Sequence, residues 1–410
     1  MKIFAITLIV LGSYLNLSAE SKRPNIILLF VDDQRADTIG AHDNPHIQTP
    51  NLDKLSDTGF SFRRNYCASS FSGAVCVASR AVCVASGAVC LASRAMLMTG
   101  RHWQQIPARN KYSGWSKLPL LPRYLHDKAD YNTFIVGKWH NGQTTLKSAF
   151  SSGSSVYMGG MVDHANFSVQ DYADGKLTDK RKAKEFSSTE FASSAINYIN
   201  KAEANKPFFL YVAFTAPHDP RNPPEKYRQI YYNKRPPLPK NFLPQHPFKN
   251  MPMRSMGRDE CLAPWPRTKS MISDQLCEYY GLITHLDEQV GRIIKSVQES
   301  HHADNTIIIY TADHGLAMGS HGLLGKQNIY EQSMSSPLII NGKGIPKGTS
   351  NSFTYVHDLY ATICHFAKIP TPAGVTSQNL SPLIQGKKEK LRDSLFLPFQ
   401  NNQRAVNDGK

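Results

Sequence analysis

Negative charge is scarce in this chain, and long apolar runs are scarcer. Of 410 residues, 32 are Asp or Glu against 47 Lys or Arg, a formal net charge of +15. That balance favours anionic partners such as phosphate, sulfate, nucleic acid or acidic glycan. Two further absences argue against nucleic acid. No zinc-finger spacing occurs, and no Lys/Arg block is long enough for a nucleic-acid arm. Lys176 to Lys184 is basic but reads as a solvated face. An anionic small molecule or polysaccharide fits the charge better. Beyond the N-terminal segment no stretch is apolar and long enough to span a bilayer, so a mature protein without a membrane span is expected.

Residues 1–19 read as a secretory signal. Lys2 supplies the positive start, Ile3 to Leu11 an apolar run too short to span comfortably, and Leu17-Ser18-Ala19 a small-residue cleavage site. A buried N-terminal strand is the weaker alternative, because a better strand follows at Asn25. Export, to a periplasm or outside the cell, is therefore expected. The seven cysteines are an odd number, which cannot all pair internally. Cys76, Cys83 and Cys90 sit in a tandem repeat whose spacing matches no zinc pattern. Cys261 and Cys277 remain a candidate disulfide.

What is present is a series of short apolar runs, each ending in a polar cluster. Ile26 to Val31 precedes Asp32-Asp33, and Thr133 to Val136 precedes Gly137-Lys138-Trp139-His140. Phe208 to Phe214 precedes Ala216-Pro217-His218-Asp219, and Thr306 to Thr311 precedes Asp313-His314-Gly315. Runs apolar on both faces are what buried parallel strands look like. Helical patterns lie between them. Pro50 to Thr58 has Thr49 as cap and Gly59 as stop, and Ser187 to Asn200 opens with a capping box of Ser187 and Glu190. Leu276 to Val297 places its apolar residues on one face. Tyr355 to Ala367 reads as a helix, and Ser394 to Phe399 as a strand. Asn222 to Pro266, rich in proline, reads as a long irregular loop over the site, or as a surface excursion without a role. The fold expected is α/β, a doubly wound and mostly parallel sheet flanked by helices. Ligands bind beyond the carboxyl ends of such strands. Asp32, Asp33, Lys138, His140, His218, Asp313 and His314 would gather at that one edge.

Two carboxylates after a buried strand are expensive unless compensated. A divalent cation compensates them and accepts further oxygen ligands. One Asp of a pair could instead cap the next helix, but two such pairs at strand ends favour a metal. The heptad Ala-Val-Cys-x-Ala-Ser-x then occurs three times, at Ala74–Arg80, Ala81–Gly87 and Ala88–Arg94, and runs into Thr99-Gly100-Arg101.

Cys90-Leu91-Ala92-Ser93-Arg94 with Thr99-Gly100-Arg101 resembles the hallmark of the sulfatases that use formylglycine, members of the alkaline phosphatase-like superfamily. The resemblance takes in Pro24-Asn25-Ile26 through Asp32-Asp33, Thr49-Pro50-Asn51-Leu52-Asp53, Gly137-Lys138-Trp139-His140 and Pro217-His218. It continues through Ala312-Asp313-His314-Gly315, His321-Gly322 and Gly325-Lys326. It implies that Cys90 is oxidised by a maturing enzyme to an aldehyde. The hydrate of that aldehyde attacks the sulfate with one hydroxyl, and the other expels inorganic sulfate. It implies one divalent metal, calcium first, with magnesium or manganese as alternatives, held by Asp32, Asp33, Asp313 and His314 and touched by the modified Cys90. Arg94 would orient the diol, Lys138 and Lys326 bind sulfate oxygens, His140 hold the diol, and His218 protonate the leaving alcohol. The substrate would be a sulfated carbohydrate or a small sulfate ester.

The chain departs from the family pattern twice. Ala92 stands where proline is usual, and two extra heptads precede the motif, so that Cys76-Val77-Ala78-Ser79-Arg80 offers a second candidate. Only Cys90 has Thr99-Gly100-Arg101 at the family spacing. The division expected is a signal at 1–19, a catalytic α/β domain at 20–390, and at 391–410 the start of an antiparallel subdomain that is incomplete here. The rival readings are a phosphodiesterase or phosphonate hydrolase of the same superfamily, and an inactive binder of sulfated glycans.

Overall fold

A computed structural model describes residues 22–68, 88–107, 115–248, 258–399 and 403–410. The expected signal and the first two heptads, with Cys76 and Cys83, lie outside the described residues. The strands in chain order are β1 (Asn25–Val31), β2 (Phe60–Phe62), β3 (Asn65–Tyr66), β4 (Asn132–Lys138) and β5 (Ser152–Tyr157). They continue with β6 (Ser168–Ala173), β7 (Lys176–Leu177), β8 (Arg181–Lys182), β9 (Phe208–Ala213) and β10 (Thr306–Ala312). The last are β11 (Leu338–Gly342), β12 (Gly348–Ser350), β13 (Thr354–Tyr355), β14 (Leu395–Phe399) and β15 (Gln403–Asn407).

One large sheet runs in the order β12-β2-β11-β10-β1-β9-β4-β5-β6-β7, with β8 beside β6. Its centre, β10-β1-β9-β4-β5, is parallel throughout, and antiparallel strands flank it at β11 and β6. Every residue of β1, β9 and β10 is buried. Side chains alternate along a strand, so β1 divides its residues between two cores. Ile26, Leu28 and Phe30 join one, with Leu91, Met96 and Leu97 of the Ala88–Thr99 helix. Ile27, Leu29 and Val31 join the other, with Leu286, Val290 and Ile293 of the Lys269–Gln298 helix. A sheet covered on both faces is what continuous apolar runs demand. A separate antiparallel pair, β14 with β15, forms the small C-terminal sheet.

Several local expectations need correction. Ser187–Lys201 is a helix, but no capping box forms at its start. Ser187 Oγ meets His164 Nδ1 at 2.7 Å, and Glu190 takes Arg181 at 2.9 Å and the Ser155 hydroxyl at 2.8 Å. Thr49 likewise makes no cap bond, because its hydroxyl donates to Asp53 Oδ1 at 3.0 Å. The helix read from Tyr355 begins only at Leu359, after a 3-10 turn. Tyr355 is extended there because it pairs with Tyr66 and its N–H donates to Asp358 Oδ2 at 2.8 Å. The segment Asn222 to Pro266 contains a helix, Glu225–Asn233, whose Tyr227 and Tyr231 are buried. Cys277 is not bonded to Cys261: it is a buried free thiol whose Sγ donates to the Tyr231 carbonyl at 3.3 Å.

Candidate active site

The parallel centre of the sheet delivers its carboxyl ends to one place. Asp32 and Asp33 follow β1, Lys138 ends β4, His218 lies just beyond β9, and Asp313 and His314 follow β10. The ladder continues into these residues, with the Asp313 N–H on the Val31 carbonyl at 3.1 Å and the Asp32 N–H on the Ala216 carbonyl at 3.2 Å. Asp33 adopts a left-handed backbone, φ 68°, a strained state for a residue other than glycine that must be held by its neighbours. Here the Asp33 N–H donates to Asp313 Oδ1 at 3.0 Å, and the Tyr279 hydroxyl donates to the Asp33 carbonyl at 2.6 Å.

Cys90 and Arg94 come from the first turns of the Ala88–Thr99 helix, four residues apart and so on one face. Ala92 lies inside this helix and is fully buried. Proline there has no N–H for a helical bond, whereas alanine lets the helix run through the motif. Ser93 anchors the turn by donating to the Asp313 carbonyl at 2.9 Å. Arg94 donates to the Lys138 carbonyl at 3.1 Å and the Tyr211 hydroxyl at 3.0 Å, over the face of Phe30. Its Nη2 is 3.9 Å from both Asp32 Oδ1 and Asp313 Oδ2.

The charges interleave. Lys138 Nζ donates to Asp32 Oδ2. Lys326 Nζ lies 2.8 Å from both Asp33 oxygens and 3.5 Å from Cys90 Sγ. His218 Nε2 and His314 Nδ1 approach Asp33 at 3.7 and 3.4 Å. Ligand atoms of Asp33, Cys90, Asp313 and His314 all fall within 4.8 Å of one another, and Asp32, Cys90 and His218 form a second such group. His140 stands beside this cluster rather than in it. Its ring packs against Gly160, where a Cβ would come within 2.5 Å of Nε2, and its Nδ1 is buried without a hydrogen-bond partner among the described residues.

Burial governs the electrostatics. It pushes Asp33 up to about 7 and Asp313 well above the carboxylate range, in each case helped by Asp32. Burial also opposes the charge on Asp32, but Lys138, His218 and Arg94 outweigh it and hold Asp32 well below that range. Burial and the nearby lysines lower His140 and His314 to about 3 and keep His218 neutral. Burial and Asp32 raise the Cys90 thiol.

The donor set fits a divalent cation. Asp32 Oδ1, Asp313 Oδ2 and His314 Nε2 are buried and lack any hydrogen-bond partner among the described residues. Buried polar atoms are rarely left so, and a cation would satisfy oxygen and imidazole donors together. Three of the contributors carry no signal as strand-end residues. Arg258, Asp259 and Glu260 form a 3-10 turn within the irregular segment. Arg258 bridges Asp219 at 2.7 Å and Asp259 at 2.6 Å, and Glu260 accepts the N–H groups of Leu324 and Gly325 at 3.0 and 2.7 Å, next to Lys326. Asp219 was visible beside His218 in the sequence, whereas the turn was not.

The mostly parallel sheet has the alkaline phosphatase-like fold, and acids, bases and a cysteine gather at its carboxyl edge. The chain matches the Sulfatase family over residues 24–369 and belongs to it, a family of sulfuric ester hydrolases. It is 26% identical over 400 residues to an arylsulfatase of Clostridium perfringens, covering 90% of this chain and 80% of that one. It is 24% identical over 428 residues to an N-acetylglucosamine-6-O-sulfatase of Bacteroides thetaiotaomicron, covering 90% and 72%. The fold matches a protein solved in complex with its substrate D-glucosamine-2-N,6-O-disulfate, with a TM-score of 0.73, 21% identity and coverage of 94% and 86%. It also matches a phosphonate monoester hydrolase from Silicibacter pomeroyi, with a TM-score of 0.67, 22% identity and coverage of 91% and 79%. No helix among the described residues is long and apolar enough to cross a membrane.

Proposed function

We propose that the chain is an exported sulfatase that removes a sulfate ester from a sulfated sugar, using a formylglycine made from Cys90 and one divalent metal, calcium first. The observation that carries this is the meeting of Cys90 Sγ with Lys326 Nζ at 3.5 Å and Asp33 Oδ1 at 3.9 Å, beside partnerless oxygens of Asp32 and Asp313. The thiol itself is a poor nucleophile there, since burial and Asp32 keep it protonated. An oxidised Cys90 removes that difficulty. When bound, the hydrated aldehyde supplies the attacking hydroxyl and the metal polarises a sulfate oxygen.

The remaining work falls to the chain. Asp32, Asp33, Asp313 and His314 hold the cation. Arg94, fixed by Tyr211 and the Lys138 carbonyl, orients the modified side chain and offsets its charge. Lys138 and Lys326 bind sulfate oxygens as negative charge grows. His140, beside the cluster, would hold the modified side chain. His218, neutral in the free site, would take up the proton that the attacking hydroxyl gives off and return it to the leaving alcohol oxygen as the S–O bond breaks. The names of relatives and the sugar bound to the similar structure support a sulfated amino sugar or a fragment of a sulfated glycan as substrate. The net charge of +15 suits such a polyanion.

Two measurements on one preparation test the reading. Mass spectrometry of the peptide containing Cys90, from a host that performs the modification, is expected to show the aldehyde. Sulfate release from glucosamine 6-sulfate or an aryl sulfate is expected to exceed hydrolysis of a phosphonate monoester. An unmodified thiol, with binding of sulfated glycan but no turnover, would mark an inactive binder instead.

A further inference from the structure

We propose that Asp259 is a positioning residue, the carboxylate that holds Lys326 once Asp33 is committed to a metal ion. The inference rests on the metal-dependent reading above. Two buried carboxylates face one ammonium: Lys326 Nζ lies 2.8 Å from both oxygens of Asp33 and 3.8 Å from Asp259 Oδ2. A cation taken up by Asp33 uses the lone pairs that Lys326 now occupies. The ammonium is then left beside a positive ion where solvent screens little.

Asp259 is built to receive it. The residue is 1% exposed, and its Oδ2 is buried with no hydrogen-bond partner among the described residues. Its Oδ1 is pinned by Arg258, from Nε at 3.0 Å and from Nη2 at 2.6 Å, so the carboxylate cannot turn away. The backbone is fixed as well. Glu260 clasps the Leu324 and Gly325 N–H groups and is itself paired with Arg267 at 3.0 Å. Gly325 has no room for a side chain, because a Cβ there would lie 2.8 Å from Asp259 Cβ. Arg258 also reaches Asp219 at 2.7 Å, and Asp219 Oδ1 is 3.3 Å from His218 Nδ1. One turn of the irregular segment thus touches both flanks of the site.

The test reads metal affinity rather than turnover. Ca2+ is titrated calorimetrically into the full chain after EDTA treatment and dialysis. Asp259→Asn keeps the size of the side chain and removes its charge, so Lys326 stays on Asp33 and the Kd is expected to rise about 10- to 100-fold. The double variant Asp259→Asn/Lys326→Met removes the competitor together with the carboxylate that would receive it, and leaves Asp33 in the same state as in Lys326→Met alone. It is expected to bind Ca2+ as tightly as Lys326→Met alone, and it keeps the test open if the single aspartate variant fails to fold. An unchanged Kd in Asp259→Asn overturns the inference. So does a double variant weaker than Lys326→Met, since Asp259 would then act on the cation directly. A parent chain that binds none of Ca2+, Mg2+ and Mn2+ overturns the metal reading and this inference with it.

Discussion

Replacing Gly137 with alanine should damage both the fold and the site, and Gly175 provides the matched control. Both glycines sit at positive φ, 86° and 73°. An L-residue in that region costs about 1–2 kcal/mol. The surroundings differ. A Cβ on Gly137 would lie 2.1 Å from the Ala213 carbonyl oxygen, whereas Gly175 has nothing within 4 Å. Ala213 belongs to β9, whose backbone is locked between β1 and β4. The clash therefore cannot be relieved by a side-chain rotation, and overpacking of this kind adds about 1–3 kcal/mol. The expected total is roughly 2–5 kcal/mol for Gly137→Ala and about 1–2 kcal/mol for Gly175→Ala. Gly137 also sits at the register shift between β4 and β5, one residue before Lys138. Any relief that moves β4 moves the ammonium off Asp32. Thermal midpoints of both variants and sulfate release from an aryl sulfate are the measurements. Gly137→Ala should melt below Gly175→Ala and lose kcat, while Gly175→Ala keeps it. Equal midpoints would refute the reasoning, because the φ penalty is common to both.

Three further outcomes follow from the same geometry. Arg94→Lys should lose about 3 kcal/mol of stability and nearly all turnover, since one ammonium cannot serve the Lys138 carbonyl, Tyr211 and two carboxylates at once; denaturant midpoints and kcat check it. Asp287, which receives the Asn51 and Leu52 N–H groups, is raised by burial to about 6. A raised folded-state carboxylate pKa favours the protonated folded form, so its cost grows between pH 4 and 6 to about 3 kcal/mol; the stability difference between the parent and Asp287→Asn should narrow or reverse over that window, and parallel pH profiles would count against it. Chelation by EDTA should lower the melting temperature, and added Ca2+ should restore it with about 2.7 kcal/mol at one hundred times the Kd; a melting curve indifferent to both would argue against a resident cation.

The strand-end part of the site was legible because its signal is local. A run such as Ile26 to Val31, short and apolar on both faces, reads as a strand covered on both sides, and the polar residues after it then stand at the carboxyl edge. The positions of Asp32, Lys138, His218 and Asp313 follow from that rule alone. What was not legible depends on partners distant in sequence. Glu190 satisfies the spacing of a capping box, but Arg181 and Ser155 reach it first. Asp259 and Glu260 lie in a segment without period, and only the packing of that turn against the Lys326 loop makes them part of the site. The helix Glu225–Asn233 was hidden by flanking prolines and by an apolar face made of two tyrosines.

The balance of charge explains why such a cluster exists at all. Asp32, Asp33 and Asp313 are fully buried together with Arg94, Lys138 and Lys326, the last only 2% exposed. Taking ions of this size out of water costs several kcal/mol each, and a well-packed apolar set is often the more stable choice. Several of the atoms also lack a hydrogen bond among the described residues, among them Asp32 Oδ1, Arg94 Nη2, Asp313 Oδ2 and His314 Nε2, whose ion pairs with one another span 3.7 to 3.9 Å. Stability alone would select against every one of these features. A cation and an anionic substrate, the partners of the proposed reaction, would supply charges that complement them. A tetrahedral sulfate needs donors on one side and a Lewis acid on the other. Lys138 ends β4 on one flank of β1 and Lys326 comes from the loop after β10 on the other, and the ion pairs they now form with Asp32 and Asp33 are the ones that binding would have to exchange.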